Sequence, residues 1–269
     1  MVTCQDLMDL MEEIAPRHLA ESWDNPGLLV GSPRARVARV LVCLDVSDAV
    51  IEQAAACGAQ LIIAHHPLIF QPLKAIRTEE PAGRRIAALL AHGIAVFAAH
   101  TNLDIAAGGV NDVLAHLVGL SHLSAFEVTA QAEDGSAQSL GRVGTLPAPM
   151  SIEDFAARVR AALPVSHVRY VDAGARPVRK VALVSGSGAE FIDRAAALGV
   201  DAYLTGDVKY HEAQHAAELG LHLIDAGHFG TEFPIAAALA ARLRALCAER
   251  RLAVEIVADE ASHDIFQFL

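Results

Sequence analysis

The sequence predicts an α/β fold made of two interlinked domains, each a largely parallel sheet flanked by helices. Three observations predict it. An Ala-rich helical stretch, a glycine and a short apolar strand recur as AAACG–AQLIIA, LLAHG–IAVFAA, AAALG–VDAYL and AAELG–LHLID. The strands are continuous apolar runs, the pattern of strands covered by helices on both faces. Aromatic residues make up only 5% of the chain, so the core rests on Ala, Val, Leu and Ile, which suit helices lying close on a sheet.

In chain order, Thr3 and Asp6 form a capping pair for a first helix. Its apolar face is Leu7, Leu10, Met11 and Ile14, and it stops at Pro16. A loop over residues 21–27 follows, where Asn25-Pro26-Gly27 fits a type II turn. The helix–glycine–strand units then begin, each glycine placed as a left-handed cap. Residues 130–150 break the rhythm, being polar and then rich in Gly and Pro. Beyond them come a helix over 151–163 capped by Ser151, a strand over 178–185, a helix over about 234–250 and a strand over 252–257. The composition shift permits a boundary near residue 125. If the last helix and strand return, one domain comprises 1–125 with 230–269 and the other 126–229.

The formal net charge is −11. Such a surface repels a phosphate backbone, which argues against a general nucleic-acid partner. A small anionic substrate, such as a nucleotide, remains open through a local positive centre. Cys4, Cys43, Cys57 and Cys247 are far apart without a C-x-x-C pair, which reads as small buried hydrophobes in a reducing compartment. The start lacks a basic and then apolar leader, and no run of 18 apolar residues occurs. A soluble, cytoplasmic protein with no membrane partner is expected.

In open α/β sheets, ligands bind beyond the carboxyl ends of the strands. Three strand ends here carry metal-type ligands: His65-His66-Pro67, His100-Thr101-Asn102-Leu103-Asp104, and His228-Phe229-Gly230-Thr231-Glu232. Both imidazoles of the first pair serve one site only where the strand gives way to loop, which Pro67 promotes. His228 and Glu232 share one helix face at i, i+4. With Glu232 bridging, His66 and Asp104 on one ion and His65 and His228 on the other, each ion keeps an open position, as catalytic metals do. Neutral imidazoles and two carboxylates leave about +2 on two divalent ions, a charge that attracts a phosphate. Nitrogen and oxygen ligands suit zinc, manganese, iron or cobalt alike.

Other residues have two readings each. Gly186-Ser187-Gly188 is either a phosphate cradle at a helix start or a tight turn. Asp207 and His211, one helical turn apart, are either acid/base groups or a cap and its neighbour. His100 is a candidate for support of Asp104 or for proton transfer. His215 continues the His211 face and either forms an alternative metal pair with it or points to solvent. Trp23, the single tryptophan, either stacks on a base or anchors the core. Ser185 and Ser187 lack a nucleophile elbow, which removes a serine hydrolase.

The stretches ESWDNPGLLVG, LIIAHHPLIF, AAHTNLD, VSGSG, TGDVKYH and DAGHFGTE resemble the NIF-three-like family, whose members are commonly labelled GTP cyclohydrolase 1 type 2 homologues. The resemblance spans the chain from near its start to the final helix. The family's metal ligands match His65, His66, Asp104, His228 and Glu232 without substitution. It implies a two-domain α/β subunit, a dinuclear centre between the domains and a ring-shaped homohexamer. Some relatives carry an inserted middle domain, for which this chain is too short. The functions that follow are a metal-dependent hydrolase acting on a nucleotide or phosphoester, with catalytic candidates His211, His100 and Asp207, or a non-enzymatic metal-storage, delivery or assembly protein. A scaffold whose metals staple the domains is a third.

Overall fold

The computed structural model describes residues 1–131, 135 and 137–269. Two compact units emerge, Met1–Ala107 with Ile235–His263, and Gly108–Pro234 with Asp264–Leu269. The chain opens with α1 (Cys4–Ile14), closed at its start by the expected Thr3–Asp6 capping box and buried along Leu7, Leu10, Met11 and Ile14. Then come β1 (Gly27–Val30), β2 (Arg39–Cys43), α2 (Asp48–Cys57), β3 (Leu61–Ala64), α3 (Pro81–His92), β4 (Ala95–Ala98) and the short α4 (Thr101–Ile105). Glycines 58 and 93 end α2 and α3 in the left-handed conformation, as expected of helix stops. The turn before β1 spans residues 21–24, four residues ahead of its sequence signal, since the Asp24 amide donates to the Glu21 carbonyl; Gly27, with the expected positive φ, already opens β1.

The second unit runs through α5 (Val110–Leu117), β5 (Ser121–Gln131), β6 (Ala137–Met150), α6 (Ile152–Ala162), β7 (Arg169–Val171), β8 (Val178–Ser187), α7 (Ile192–Ala197), β9 (Ala202–Gly206), α8 (Tyr210–Glu218), β10 (His222–Asp225) and α9 (His228–Glu232). α10 (Pro234–Glu249) and β11 (Glu255–Ala258) then return the chain to the first unit, where β11 pairs with β2. Residues 108–125, which composition groups with the first domain, pack in the second unit. There α5 buries Leu114 and Ala115 with Phe155 and Leu183, and β5 pairs with β6. The stretch 130–150, read as a break, contributes to this long hairpin; its residues 132–134 and 136 lie outside the described ones. Pro147 and Pro149 fall where the β6–β8 register shifts, the place where a missing N–H does no harm to the ladder.

The first sheet has the order β1-β4-β3-β2-β11, parallel except for β1 at one edge. The second has the order β5-β6-β8-β9-β10-β7. Only β8, β9 and β10 are parallel to one another, and antiparallel strands flank them on both sides. Alternation along these strands separates two cores. Val181, Leu183, Ala202, Leu204 and Ile224 join the cluster around Phe155, while Ala182, Val184, Tyr203 and Leu223 join the one around Phe126. Both sides are buried, which is why the strands read as unbroken apolar runs. The four cysteines are free, with Cys4, Cys43 and Cys247 buried. Among the described residues, no helix is long and apolar enough to cross a membrane.

Tyr203 ties this packing to the end of β8. Its ring is fully buried and stacks on Phe126 at 5.7 Å, and its hydroxyl donates to the Gly188 carbonyl at 2.8 Å. Burial pushes its phenol well above the ordinary tyrosine value. Tyr203→Phe keeps the ring and strands the Gly188 carbonyl, so chemical denaturation should show a loss of about 1–3 kcal/mol. Unchanged stability would mean that the hydroxyl does not secure this loop.

Candidate metal centre

In the first unit, β3 ends at Ala64 and the chain bends, so that consecutive imidazoles no longer point to opposite faces. The His65 and His66 rings lie 5.0 Å apart, and their amides donate to the Cys43 and Leu44 carbonyls at the end of β2. His100 follows β4 and caps α4, with its ring 5.2 Å from His65 and 5.7 Å from His66. The ligand atoms of these three histidines lie within 4.8 Å of one another, an arrangement that could hold a metal ion. Asp104, buried one turn into α4, places Oδ1 3.6 Å from His65 Nε2. It is not the helix cap, since that position belongs to His100.

Each of these rings is held from its other nitrogen. His65 Nδ1 donates to the Ala99 carbonyl at 2.9 Å, His66 Nδ1 to Asp45 at 2.9 Å and His100 Nδ1 to Asp24 at 2.8 Å. A carbonyl or carboxylate has no proton to give, so the proton sits on Nδ1 and Nε2 carries the lone pair. This is the arrangement that orients metal-binding histidines. Burial alone would raise the Asp24 carboxyl, but hydrogen bonds from His100 and Thr101 outweigh it and hold the group at about 2. Asp24 therefore remains an acceptor throughout the neutral range. It also receives the Thr101 amide at 3.0 Å, which fixes the start of α4.

In the second unit, the parallel strands β8, β9 and β10 present their carboxyl ends together. α9 follows β10 and brings His228 Nε2 to 3.0 Å from Glu232 Oε2, one turn apart as the spacing predicts. Asp207, directly after β9, accepts from His228 Nδ1 at 2.7 Å. Its φ of 55° is left-handed, a conformation that costs an L-residue about 1–3 kcal/mol and is retained where surroundings impose it. Asp225, buried at the end of β10, receives the amides of Val208 and Gly227 and so joins the loops that carry Asp207 and His228. Glu232 is buried too.

The Gly186-Ser187-Gly188 stretch also has a different use from a phosphate cradle. The Gly186 amide donates to Thr231 Oγ1 and the Gly188 amide to Thr205 Oγ1, both at 2.9 Å. A Cβ on Gly186 would stand 2.1 Å from Glu232 Oε1 and 3.2 Å from His228 Nε2. Glycine is needed because the backbone forms the wall against which this ligand pair rests. Asp207 precedes α8, whose N-cap is Lys209, so it does not share a helical turn with His211. His211 is exposed and its ring lies against Gln214, while His215 bonds to Asp193 at 2.7 Å. Trp23 is 57% exposed and no core anchor.

The sequence reading missed Asp24 and Asp45, the acids that hold His100 and His66. Asp45 carried a usable signal, lying just past the carboxyl end of β2 where ligands of parallel sheets collect. Asp24 carried none, being 76 residues from its partner. Within each unit the donors, oriented imidazoles with buried Asp104 in the first and His228 with buried Glu232 in the second, are of the nitrogen and oxygen type that suits a divalent ion. Gly186→Ala combines a disfavoured backbone with a collision at Glu232. It should cost about 1–3 kcal/mol in thermal denaturation and reduce retained divalent metal, whereas Ser187→Ala should change neither. Full metal retention in Gly186→Ala would show that the wall is not needed.

Comparison with known proteins shows the family. The sequence model of the Duf34/NIF3 (NGG1p interacting factor 3) family matches residues 2–264. A Clostridium perfringens protein named GTP cyclohydrolase 1 type 2 homolog is 33% identical over 265 residues, covering 98% of both chains. The crystal structure of a Bacillus cereus protein related to NIF3 superimposes with a TM-score of 0.93 at 28% identity, covering 100% of this chain and 99% of that one. Staphylococcus aureus protein SA1388 gives a TM-score of 0.93 at 29% identity with the same coverage. With a family match over residues 2–264, nearly its whole length, the chain belongs to the Duf34/NIF3 family.

Proposed function

We propose that this protein is a metal-dependent hydrolase of a nucleotide or phosphoester, holding two divalent ions through His65, His66, Asp104, His228 and Glu232. One observation carries the reading: His65, His66 and His228 each donate from Nδ1 to a proton-less acceptor, which presets Nε2 as a ligand. His65, His66, Asp104, His228 and Glu232 are the residues that would hold these ions. Five protein ligands shared by two ions would leave room for water or substrate, as suits a catalytic rather than a structural site. Zinc, manganese, iron or cobalt would satisfy these donors.

Ions bound in this way supply Lewis acidity and bring the pKa of a water toward neutrality. The side chains do the rest. His100, secured by Asp24, presents Nε2 beside His65 and His66 and accepts a proton from the attacking water. Asp207 positions His228. His211, exposed at the start of α8, is the candidate that would exchange a proton with solvent. The name carried by relatives, GTP cyclohydrolase 1 type 2 homolog, supports a nucleotide as the small anionic substrate. A cytoplasmic homohexamer completes the proposal.

A second reading, metal storage or delivery, is favoured by one feature. The His66 and His228 side chains are 22% and 39% exposed, within reach of an acceptor's ligands. Turnover separates the two. Metal-loaded protein assayed against GTP and a panel of phosphoesters should show activity that chelation removes and added metal restores. Transfer of metal to an acceptor chelator without any turnover would overturn the hydrolase and leave delivery. Glu232→Ala should lose both activity and stoichiometric metal in elemental analysis. Asp207→Asn, which keeps the shape but weakens the grip on His228, should lower metal affinity about 10- to 100-fold with the fold intact by circular dichroism. Parent-like affinity in that variant would remove Asp207 from the positioning role.

A further inference from the structure

Trp23 and Phe70 stand exposed beside the histidine cluster of the first unit, at 57% and 43% of their surface. Large aromatic side chains usually bury most of their area, so two open ones next to metal-type ligands call for an explanation. Their rings and that of His100 meet at nearly right angles. Trp23 and Phe70 are 6.0 Å apart at 70°, Trp23 and His100 6.2 Å at 73°, and Phe70 and His100 6.2 Å at 87°. Three such planes make a corner.

This corner is held in place. Asp24, next to Trp23, has a fully buried side chain that binds His100 Nδ1 and the Thr101 amide. The Glu21 amide donates to Thr101 Oγ1 at 3.0 Å. Asn25 Nδ2 donates to the Ile69 carbonyl at 2.6 Å, stitching the Trp23 loop to the Phe70 loop. The two aromatic walls are therefore fixed to each other and to the histidine cluster by the same few bonds.

Building on the metal-centre reading above, we infer that Trp23 and Phe70 form the recognition wall for a planar heteroaromatic ring, so that the substrate is a nucleotide and not a simple phosphoester. A flat ring stacks on one wall and meets the other edge-on, the arrangement aromatic pairs prefer. The anionic part of the same molecule then has the cation-binding imidazoles His65, His66 and His100 within reach. An alkyl phosphate would satisfy the charge and leave the walls wet.

Trp23 is the single tryptophan, so its fluorescence reports on the corner directly. Zinc-loaded protein, its metal content measured beforehand, is titrated with GMP and with ribose 5-phosphate. GMP should quench the emission and bind roughly ten-fold more tightly than ribose 5-phosphate, as stacking of one base allows. Phe70→Leu, which keeps the reporter, and Trp23→Leu, followed by calorimetry, should each weaken GMP roughly ten-fold, leave ribose 5-phosphate and bound zinc unchanged, and in the second case be rescued by Trp23→Phe. Equal affinities for the two probes, or variants that bind GMP as the parent does, would overturn the wall. So would emission that depends on protein concentration but not on GMP, since a second copy would then cover these rings. Absence of bound zinc in the parent would instead defeat the metal reading, a result separate from the base preference.

Discussion

A hydrogen bond from Nδ1 to an acceptor without a proton governs four histidines in this protein. His65 uses a backbone carbonyl, and His66, His100 and His228 use Asp45, Asp24 and Asp207. An imidazole free to rotate and to change tautomer offers a cation either nitrogen or neither. These bonds remove that freedom and leave Nε2 as the nitrogen that can bind. They also explain acids that would otherwise look misplaced, such as Asp207 in a left-handed backbone conformation. The strain there is compensated by what the carboxylate holds.

The fold makes such bonds possible by bringing loops together at the carboxyl ends of parallel strands. In the first unit the ends of β2, β3 and β4 lie side by side and carry Asp45, His65 with His66, and His100. In the second, the ends of β8, β9 and β10 carry Gly186, Asp207 and the loop into α9. Burial of both faces fixes the register of these strands, because a slip of one residue would move every side chain to the wrong core. The loops inherit that precision. Gly186 shows how fine it is, since one methyl group would meet Glu232.

Much of this was legible in the sequence. The glycine-ended helices and continuous apolar strands marked the βα units, and the candidate ligand residues stood out because they recur just past strand ends. What escaped notice depends on long-range pairing. The β5–β6 hairpin hides because its solvent side is polar and its Pro147 and Pro149 read as loop residues, although they sit at a register shift. Residues 108–125 carry no compositional mark of the core they join. The Gly186-Ser187-Gly188 stretch resembles a phosphate loop until its amides are seen to end on Thr231 and Thr205. Asp24 is visible only as a partner, and the role of Trp23 only once its neighbours are known.

The central proposal is that oriented imidazoles and buried carboxylates hold a pair of divalent ions. X-ray absorption spectroscopy on protein purified with its own metal tests it most directly. The account predicts nitrogen and oxygen neighbours at about 2.0–2.2 Å with imidazole scattering, and a second metal at about 3.5–4 Å. A sulfur shell at about 2.3 Å, or an ion surrounded by water alone without histidine, would contradict it.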